Sequence, residues 1–231
     1  MSERLSISTP DGAFSAYVAR PAAARAPAVI AIQEIFGVNW VMREVCDRLA
    51  AAGYLAVCPD LFWRLEPDVD ITDQSKAEWD KAFDLMNRFD VDQGVEDIRG
   101  AIDQVRSSAG CDGKVGAVGY CLGGRLAYLT ATRTDSDASV GYYGVGIEGY
   151  LGEAERLAHP LMLHIAEEDG FVPKEAQALI EGALKDHPQV SLHTYPGCDH
   201  AFARPGGAHY DAKAAAQADG RTLAFFKQNL G

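Results

Sequence analysis

Gly119-Tyr120-Cys121-Leu122-Gly123 is the stretch on which the reading of this chain turns. It has the form G-x-C-x-G, a nucleophile elbow with cysteine in the place more often held by serine. Its setting makes the match specific. Lys114-Val-Gly-Ala-Val-Gly-Tyr120 is a short apolar, β-branched run that predicts a buried strand, and Gly124 to Thr132 is rich in helix formers. A strand that turns sharply into a helix leaves little room at the corner, and the flanking glycines meet that demand. The competing reading is that Cys121 is only a small buried apolar residue, the common fate of a free cysteine.

An elbow of this kind implies its partners. In the corresponding fold the acid and the histidine follow the nucleophile in that order, each on a loop after a later strand. Pro160-Leu-Met-Leu-His-Ile-Ala166 predicts one such strand, ended by Glu167-Glu-Asp169-Gly170. Val190-Ser-Leu-His-Thr-Tyr195 predicts another, followed by Pro196-Gly197 and then Cys198-Asp199-His200. A base is needed to take the thiol proton, and a carboxylate to hold the right imidazole tautomer. His200 and Asp169 fit these roles, Glu167 and Glu168 being read as solvated turn residues. The fold rule also names the oxyanion donors, the amide after the nucleophile and one from the loop after the third strand. Here they are Leu122 and Ile35, and loss of one such donor costs roughly 3–4 kcal/mol in a comparable site.

The rest of the chain alternates strands with helices. Arg4 to Ser8 and Phe14 to Val18 flank the turn Pro10-Asp11-Gly12 and predict an antiparallel hairpin. Ala28 to Ile32 is apolar throughout, as suits a parallel strand buried on both faces. Asn39 is a candidate cap for a helix running to about Ala52, and Tyr54 to Pro59 is the next strand. Val95, Ile98, Ile102 and Val105 recur at helical spacing and make one apolar stripe. Pro173 to Lys185 and Asp211 to Asn229 close the pattern as helices, while acidic Phe62 to Gln74 reads as a loop beside the active site. The fold class is therefore α/β, a mostly parallel doubly wound sheet with an N-terminal antiparallel hairpin, in one domain over 1–231.

Composition sets bounds. The net charge of −12 argues against nucleic acid or an anionic membrane as partner. The five cysteines form no CxxC pair, which suits a reducing compartment. Met1-Ser-Glu-Arg-Leu5 lacks a signal peptide's apolar stretch, and no run reaches transmembrane length. The expectation is a monomeric, cytoplasmic protein. Gly144-Val-Gly146-Ile-Glu-Gly149 matches G-x-G-x-x-G, but Tyr150-Leu-Gly-Glu153 offers no helix opening, so a dinucleotide is not expected. Nor do Cys198 with His200, or His159 with His164, make a metal-ligand set. His159, His164, His187, His193 and His209 read as strand or surface histidines, and no cofactor or metal is expected.

Gln33-Glu-Ile-Phe-Gly-Val-Asn39, Ala56-Val-Cys-Pro-Asp-Leu61, Lys114 to Gly124, Val140-Gly-Tyr-Tyr-Gly-Val-Gly146 and His200-Ala-Phe-Ala-Arg204 together resemble the dienelactone hydrolase (carboxymethylenebutenolidase) family over nearly the full length. The resemblance implies an α/β-hydrolase fold and a cysteine-dependent hydrolase that opens a lactone through a thioester, as in degradation of aromatic compounds. It also gives Glu34 a role. A carboxylate beside an oxyanion hole needs a counter-ion, and Arg204 is the natural one. The family pattern implies that Arg204 holds this glutamate at rest and that the substrate carboxylate displaces it, freeing it to take the thiol proton. A structural ion pair is the alternative.

The chain departs from that pattern at three positions. Trp79 stands where a second substrate-binding arginine is expected, Phe83 where a tyrosine is, and Ala201 where a small hydroxyl is. Arg64, Lys76 and Lys81 are the candidates to compensate. Phe36, Trp79, Phe83 and Tyr143 are the remaining expected substrate contacts beside Arg204. The expected partner is a small, anionic lactone or ester. Two alternatives stand beside it: a cysteine hydrolase for a more apolar ester or thioester, and a catalytically silent ligand-binding relative.

Overall fold

The computed structural model describes residues 3–231. Met1 and Ser2, read above as part of the N-terminus, lie outside the described residues. The chain divides into two compact units, Met1–Ala117 and Val118–Gly231.

The first unit opens with the expected hairpin. β1 (Glu3–Thr9) and β2 (Gly12–Ala19) pair antiparallel with Ile7 opposite Phe14. β1 shows mostly exposed positions around the fully buried Ile7, the pattern of an edge strand with one face on the core. β3 (Ala26–Ile32) and β4 (Leu55–Pro59) are almost wholly buried and run parallel. β2 lies antiparallel on the other side of β4, so the order is β1-β2-β4-β3. Three helices follow the strands, and each starts at a side chain that accepts a backbone N–H. Asn39 caps α1 (Trp40–Ala51), Ser75 caps α2 (Lys76–Arg88) and Asp90 caps α3 (Val91–Arg106). Val95, Ile98, Ile102 and Val105 are all buried, as their spacing predicts.

β5 (Cys111–Tyr120) runs through the division into the second unit. There β6 (Ala138–Tyr142), β7 (Leu161–Ala166) and β8 (Val190–Tyr195) are parallel neighbours. α4 (Leu122–Arg133) begins directly after Cys121, α5 (Lys174–Leu184) follows β7, and α6 (Ala212–Asn229), capped by Asp211, closes the chain. The sequence reading has no separate strand over Ala138–Tyr142, where Gly141 and Ser139 interrupt a short run. It also starts the α4 helix two residues late, because paired glycines are poor helix formers. Ile147–Arg156 is 3₁₀ rather than α-helical. The glycines before it serve close packing: a Cβ on Gly144 would lie 2.8 Å from the carbonyl carbon of Gly124.

Among the described residues, no helix is long and apolar enough to cross a membrane.

Two glycines make opposite predictions. A Cβ on Gly124 would sit 2.5 Å from the Tyr142 carbonyl oxygen and 2.7 Å from Gly144 Cα, both backbone atoms. Gly124→Ala should therefore destabilise the protein by about 1–3 kcal/mol or more. Gly182 lies inside α5 with nothing within 4 Å of such a Cβ. Gly182→Ala should stabilise it by about 0.5–1 kcal/mol. Urea unfolding of both variants checks the pair, and equal effects of the same sign would contradict the packing described.

Candidate active site

The corner between β5 and α4 holds Cys121 at φ 57°, ψ −114°, a conformation that L-residues rarely adopt. Such a backbone costs of order 1–3 kcal/mol and persists only where its surroundings over-determine it. They do so here. Cys121 N–H donates to the Tyr142 carbonyl at 3.0 Å, and its own carbonyl accepts from Gly124 N at 3.0 Å, Arg125 N at 3.3 Å and Val145 N at 3.3 Å. Gly119 is obligatory, since a Cβ there would fall 1.9 Å from the Gly123 carbonyl oxygen. Leu122 opens α4, so its amide belongs to the positive end of a helix dipole next to the cysteine.

Asp169 and His200 stand on the loops after β7 and β8, as their order predicts. His200 Nδ1 lies 2.9 Å from both carboxylate oxygens of Asp169. Asp169 Oδ1 also accepts from Phe171 N at 2.8 Å and Val172 N at 3.1 Å, which fixes the carboxylate before the histidine meets it. Burial alone would lower the His200 pKa, but the charge of Cys121 and the hydrogen bonds to Asp169 and Cys121 outweigh it, raising it to about 10. The three side chains thus form one proton-sharing line.

The two loops are clamped by a residue that the sequence reading gave no role. Asp199 Oδ1 accepts from His200 N at 2.6 Å and from Gly170 N at 2.9 Å. Burial opposes ionisation of Asp199, but these two N–H bonds hold its carboxyl below the ordinary value. His209, expected to be a surface or strand histidine, donates from Nδ1 to the His200 carbonyl at 3.2 Å. Phe171, also unforeseen, packs edge-on against the His200 ring with centroids 4.8 Å apart. Its signal lay in its position two residues after Asp169, inside the same turn. Tyr143 approaches His200 at 5.1 Å and is itself held at φ 38°. Ala201, where a hydroxyl residue was expected, is a third strained position, at φ 63°. Arg204 is half-buried in the same loop, its N–H on the Ala201 carbonyl at 2.9 Å.

In the first unit, Glu34, Ile35 and Phe36 are buried directly after β3. Their loop is anchored by Gln33 Oε1, which accepts from Leu61 N at 3.0 Å, and by Ile71 N, which donates to the Phe36 carbonyl at 3.2 Å. Gly37 adopts φ 76°, with the Val69 carbonyl only 2.0 Å from where a Cβ would lie. The Phe62 to Gln74 stretch, free of helix and apart from one bridge at Asp70, therefore packs on the Glu34 loop. Phe36, Trp79 and Phe83 form an aromatic ladder, with centroids 5.1 Å and 5.4 Å apart. The candidates to compensate for the missing arginine are engaged elsewhere. Arg64 binds Asp97 at 2.8 Å and Asp11 at 3.0 Å, Lys76 binds Asp80 at 2.6 Å, and Lys81 binds Glu66 at 2.5 Å. Asp80 captures Lys76 from one helical turn away, whereas the partners of Arg64 and Lys81 are distant in sequence, which spacing did not reveal.

The five cysteines carry no disulfide and are all buried. No group of three or more His, Cys, Asp or Glu among the described residues could hold a metal ion.

Comparison with known proteins gives one answer. The family model of the dienelactone hydrolase family matches residues 14–230. The "Putative carboxymethylenebutenolidase" of Azospirillum brasilense is 54% identical, covering 96% of each chain. The carboxymethylenebutenolidase of Pseudomonas putida is 42% identical over 97% of this chain and 96% of its own. Among solved structures, the "Putative Dienelactone Hydrolase" of Klebsiella pneumoniae superposes with a TM-score of 0.86 at 29% identity, covering 99% of this chain and 98% of that one. With its α/β-hydrolase fold and a strained cysteine elbow followed by an aspartate and a histidine in chain order, the chain belongs to the dienelactone hydrolase family and is a hydrolase of lactone esters.

Proposed function

We propose that the chain opens a carboxylated lactone through a thioester formed on Cys121. The observation that carries this reading is the line Cys121–His200–Asp169, in which one imidazole bonds both the thiol and a buried carboxylate. His200 takes the thiol proton, and the sulfur attacks the lactone carbonyl. As the tetrahedral intermediate collapses, the ring C–O bond breaks and the departing oxygen receives that proton from His200. Water then loses a proton to His200 and attacks the thioester, which releases the second carboxylate of the product and regenerates the thiol. Asp169 fixes the imidazole so that Nε2 faces the sulfur, and it stabilises the imidazolium in each half.

The Leu122 amide is the oxyanion donor contributed by the second unit, supported by its position at the start of α4. Arg204 is the group proposed to bind the substrate carboxylate. From the first unit, Ile35 is proposed as the second oxyanion donor and Glu34 as the carboxylate that first accepts the thiol proton and passes it on to His200, both on the family resemblance. The chain is taken to act as one catalytic domain, monomeric and cytoplasmic, with a small anionic molecule as its only partner. A second reading, a hydrolase for more apolar esters, is favoured by the aromatic ladder of Phe36, Trp79 and Phe83, with Trp79 in the position expected for an arginine. Ultraviolet-monitored turnover of dienelactone, against a neutral ester of similar size, discriminates the two.

Three outcomes follow from this reading. Cys121→Ser should fold as the parent does and lose kcat by orders of magnitude, because a serine hydroxyl holds its proton far more tightly than a thiol. Near-parental turnover by the serine variant would remove cysteine from the mechanism.

The raised pKa of His200 is a second target. Replacing Cys121 with Ala removes its charge and hydrogen bond, so the His200 transition in NMR titration should move down from about 10. The sign follows from linkage. A histidine raised from 6.5 contributes stability fully present below that value, and the contribution is lost as pH rises towards 10. The parent should therefore lose more stability than Cys121→Ala across that window, as measured by urea unfolding at several pH values. An unmoved titration would mean that Cys121 does not set the proton affinity of His200.

For the substrate, Arg204→Ala should raise KM for a carboxylated lactone about tenfold to more than a hundredfold, the worth of a charge-assisted hydrogen bond. A neutral ester should be affected far less. Equal losses on both substrates would leave the apolar-ester reading as the better one.

A further inference from the structure

Six side chains that the reaction does not use form one line of hydrogen bonds in the second unit. Arg221 Nη1 donates to Tyr195 Oη at 3.1 Å, and Tyr195 Oη lies 2.8 Å from His164 Nδ1. His164 Nε2 lies 2.9 Å from Thr222 Oγ1, which is 2.7 Å from Tyr142 Oη. Tyr142 Oη then donates to Asp219 Oδ1 at 3.0 Å. The two ends determine every proton between them. A guanidinium only donates, so Tyr195 has its own proton left for His164 Nδ1. Tyr142 gives its proton to Asp219, so the Thr222 hydroxyl must donate to Tyr142, and His164 Nε2–H must donate to Thr222. His164 is therefore a neutral imidazole with its proton on Nε2. Its burial, which pushes its pKa well below 6.5, agrees.

The line crosses the carboxyl halves of three strands, and each of them leads to one part of the site. The carbonyl of Tyr142, at the end of β6, accepts the Cys121 N–H. On β7, the His164 carbonyl accepts Tyr143 N–H at 2.8 Å, and three residues after that strand comes Asp169. At the end of β8, the Tyr195 carbonyl accepts Glu167 N–H at 3.1 Å and Cys198 N–H at 3.3 Å, next to the turns that carry Asp169 and His200. The other three members, Asp219, Arg221 and Thr222, are on α6. One helix thus ties together the carboxyl halves of the three strands from which the nucleophile's amide, the acid and the base are hung.

We propose that the line Arg221–Tyr195–His164–Thr222–Tyr142–Asp219 is a positioning network that sets the alignment of Cys121, His200 and Asp169 from beneath. It rests on the assignment of those three residues to the reaction. None of the six touches the reacting atoms, so their effect is on geometry alone, and misplacement of a catalytic group by about 1 Å can cost about a hundredfold in rate.

Thr222→Val cuts the line at its centre with little change of volume, and Tyr195→Phe cuts it at His164 while keeping the ring against Phe202, 4.7 Å away. Thr222→Ser keeps the hydroxyl. Each is assayed on dienelactone well below its own melting temperature, and the His200 Nδ1–H signal is followed by proton NMR. The expected result is a fall in kcat of about tenfold to a hundredfold for the first two variants, with KM little changed and the His200 signal shifted or broadened. Thr222→Ser should restore both. Unchanged kcat and an unchanged His200 signal in folded Tyr195→Phe, or a Thr222→Ser variant as impaired as Thr222→Val, would overturn the proposal. Cys121→Ala is run beside them: if it keeps parental turnover, the nucleophile assignment fails. The NMR signal still judges the network in that event, because it needs no turnover.

Discussion

A backbone angle of φ 57° at a cysteine is the constraint on which the rest of the second unit depends. Left to itself, an L-residue relaxes out of that region, and the thiol would turn away from His200. Three carbonyl-accepted amides and one donated amide oppose the relaxation, and two of the acceptors' partners, Gly124 and Val145, come from different elements. For these bonds to form, α4, β6 and the Gly144 turn must approach closer than side chains permit. That is why Gly119, Gly124 and Gly144 are glycines: each is met by backbone atoms at 2.8 Å or less where a Cβ would be. The packing that stabilises the fold and the strain held at Cys121 are therefore one arrangement.

The loops carrying the other two groups solve a different problem. A loop is mobile unless its backbone amides find acceptors, and here aspartates supply them. Asp169 Oδ1 takes two amides of its own turn, and Asp199 Oδ1 takes one amide from each of two loops. Bonds to a charged acceptor are worth roughly 1.5–3 kcal/mol, about twice the neutral kind. Acidic residues, abundant in this chain, are used locally as backbone glue.

Much of this was legible in the sequence. The elbow, the chain order of Cys121, Asp169 and His200, and the amphipathic stripe of α3 follow from local pattern, because each expresses a rule about neighbouring residues. What pattern could not supply was the partner of each charge. Arg64, Lys76 and Lys81 looked available from their positions, yet carboxylates from Asp11 to Asp97 hold them. Asp199 stood beside His200 in plain view, but its acceptor role depends on a second loop brought in from near Gly170. Short strands with glycine in them, such as β6, were invisible for the same reason: their support is tertiary.

The two buried histidines of the second unit make the point most sharply. His164, within β7, and His200, on the loop after β8, are 1% and 5% exposed, and each has a partner on both sides of the ring. Burial pushes both towards the neutral form. At His164 the partners are a tyrosine and a threonine hydroxyl, which bond the neutral ring and leave burial to decide, so the proton affinity falls well below the ordinary range. At His200 the partners are a carboxylate and a thiol that can ionise, and their charges reverse the outcome to about 10. Neither result is a property of histidine, of the strand or of depth below the surface. It comes from which side chains meet the ring: two hydroxyls, which bond a neutral imidazole, in one place, and a carboxylate and a thiol, which favour the charged one, in the other.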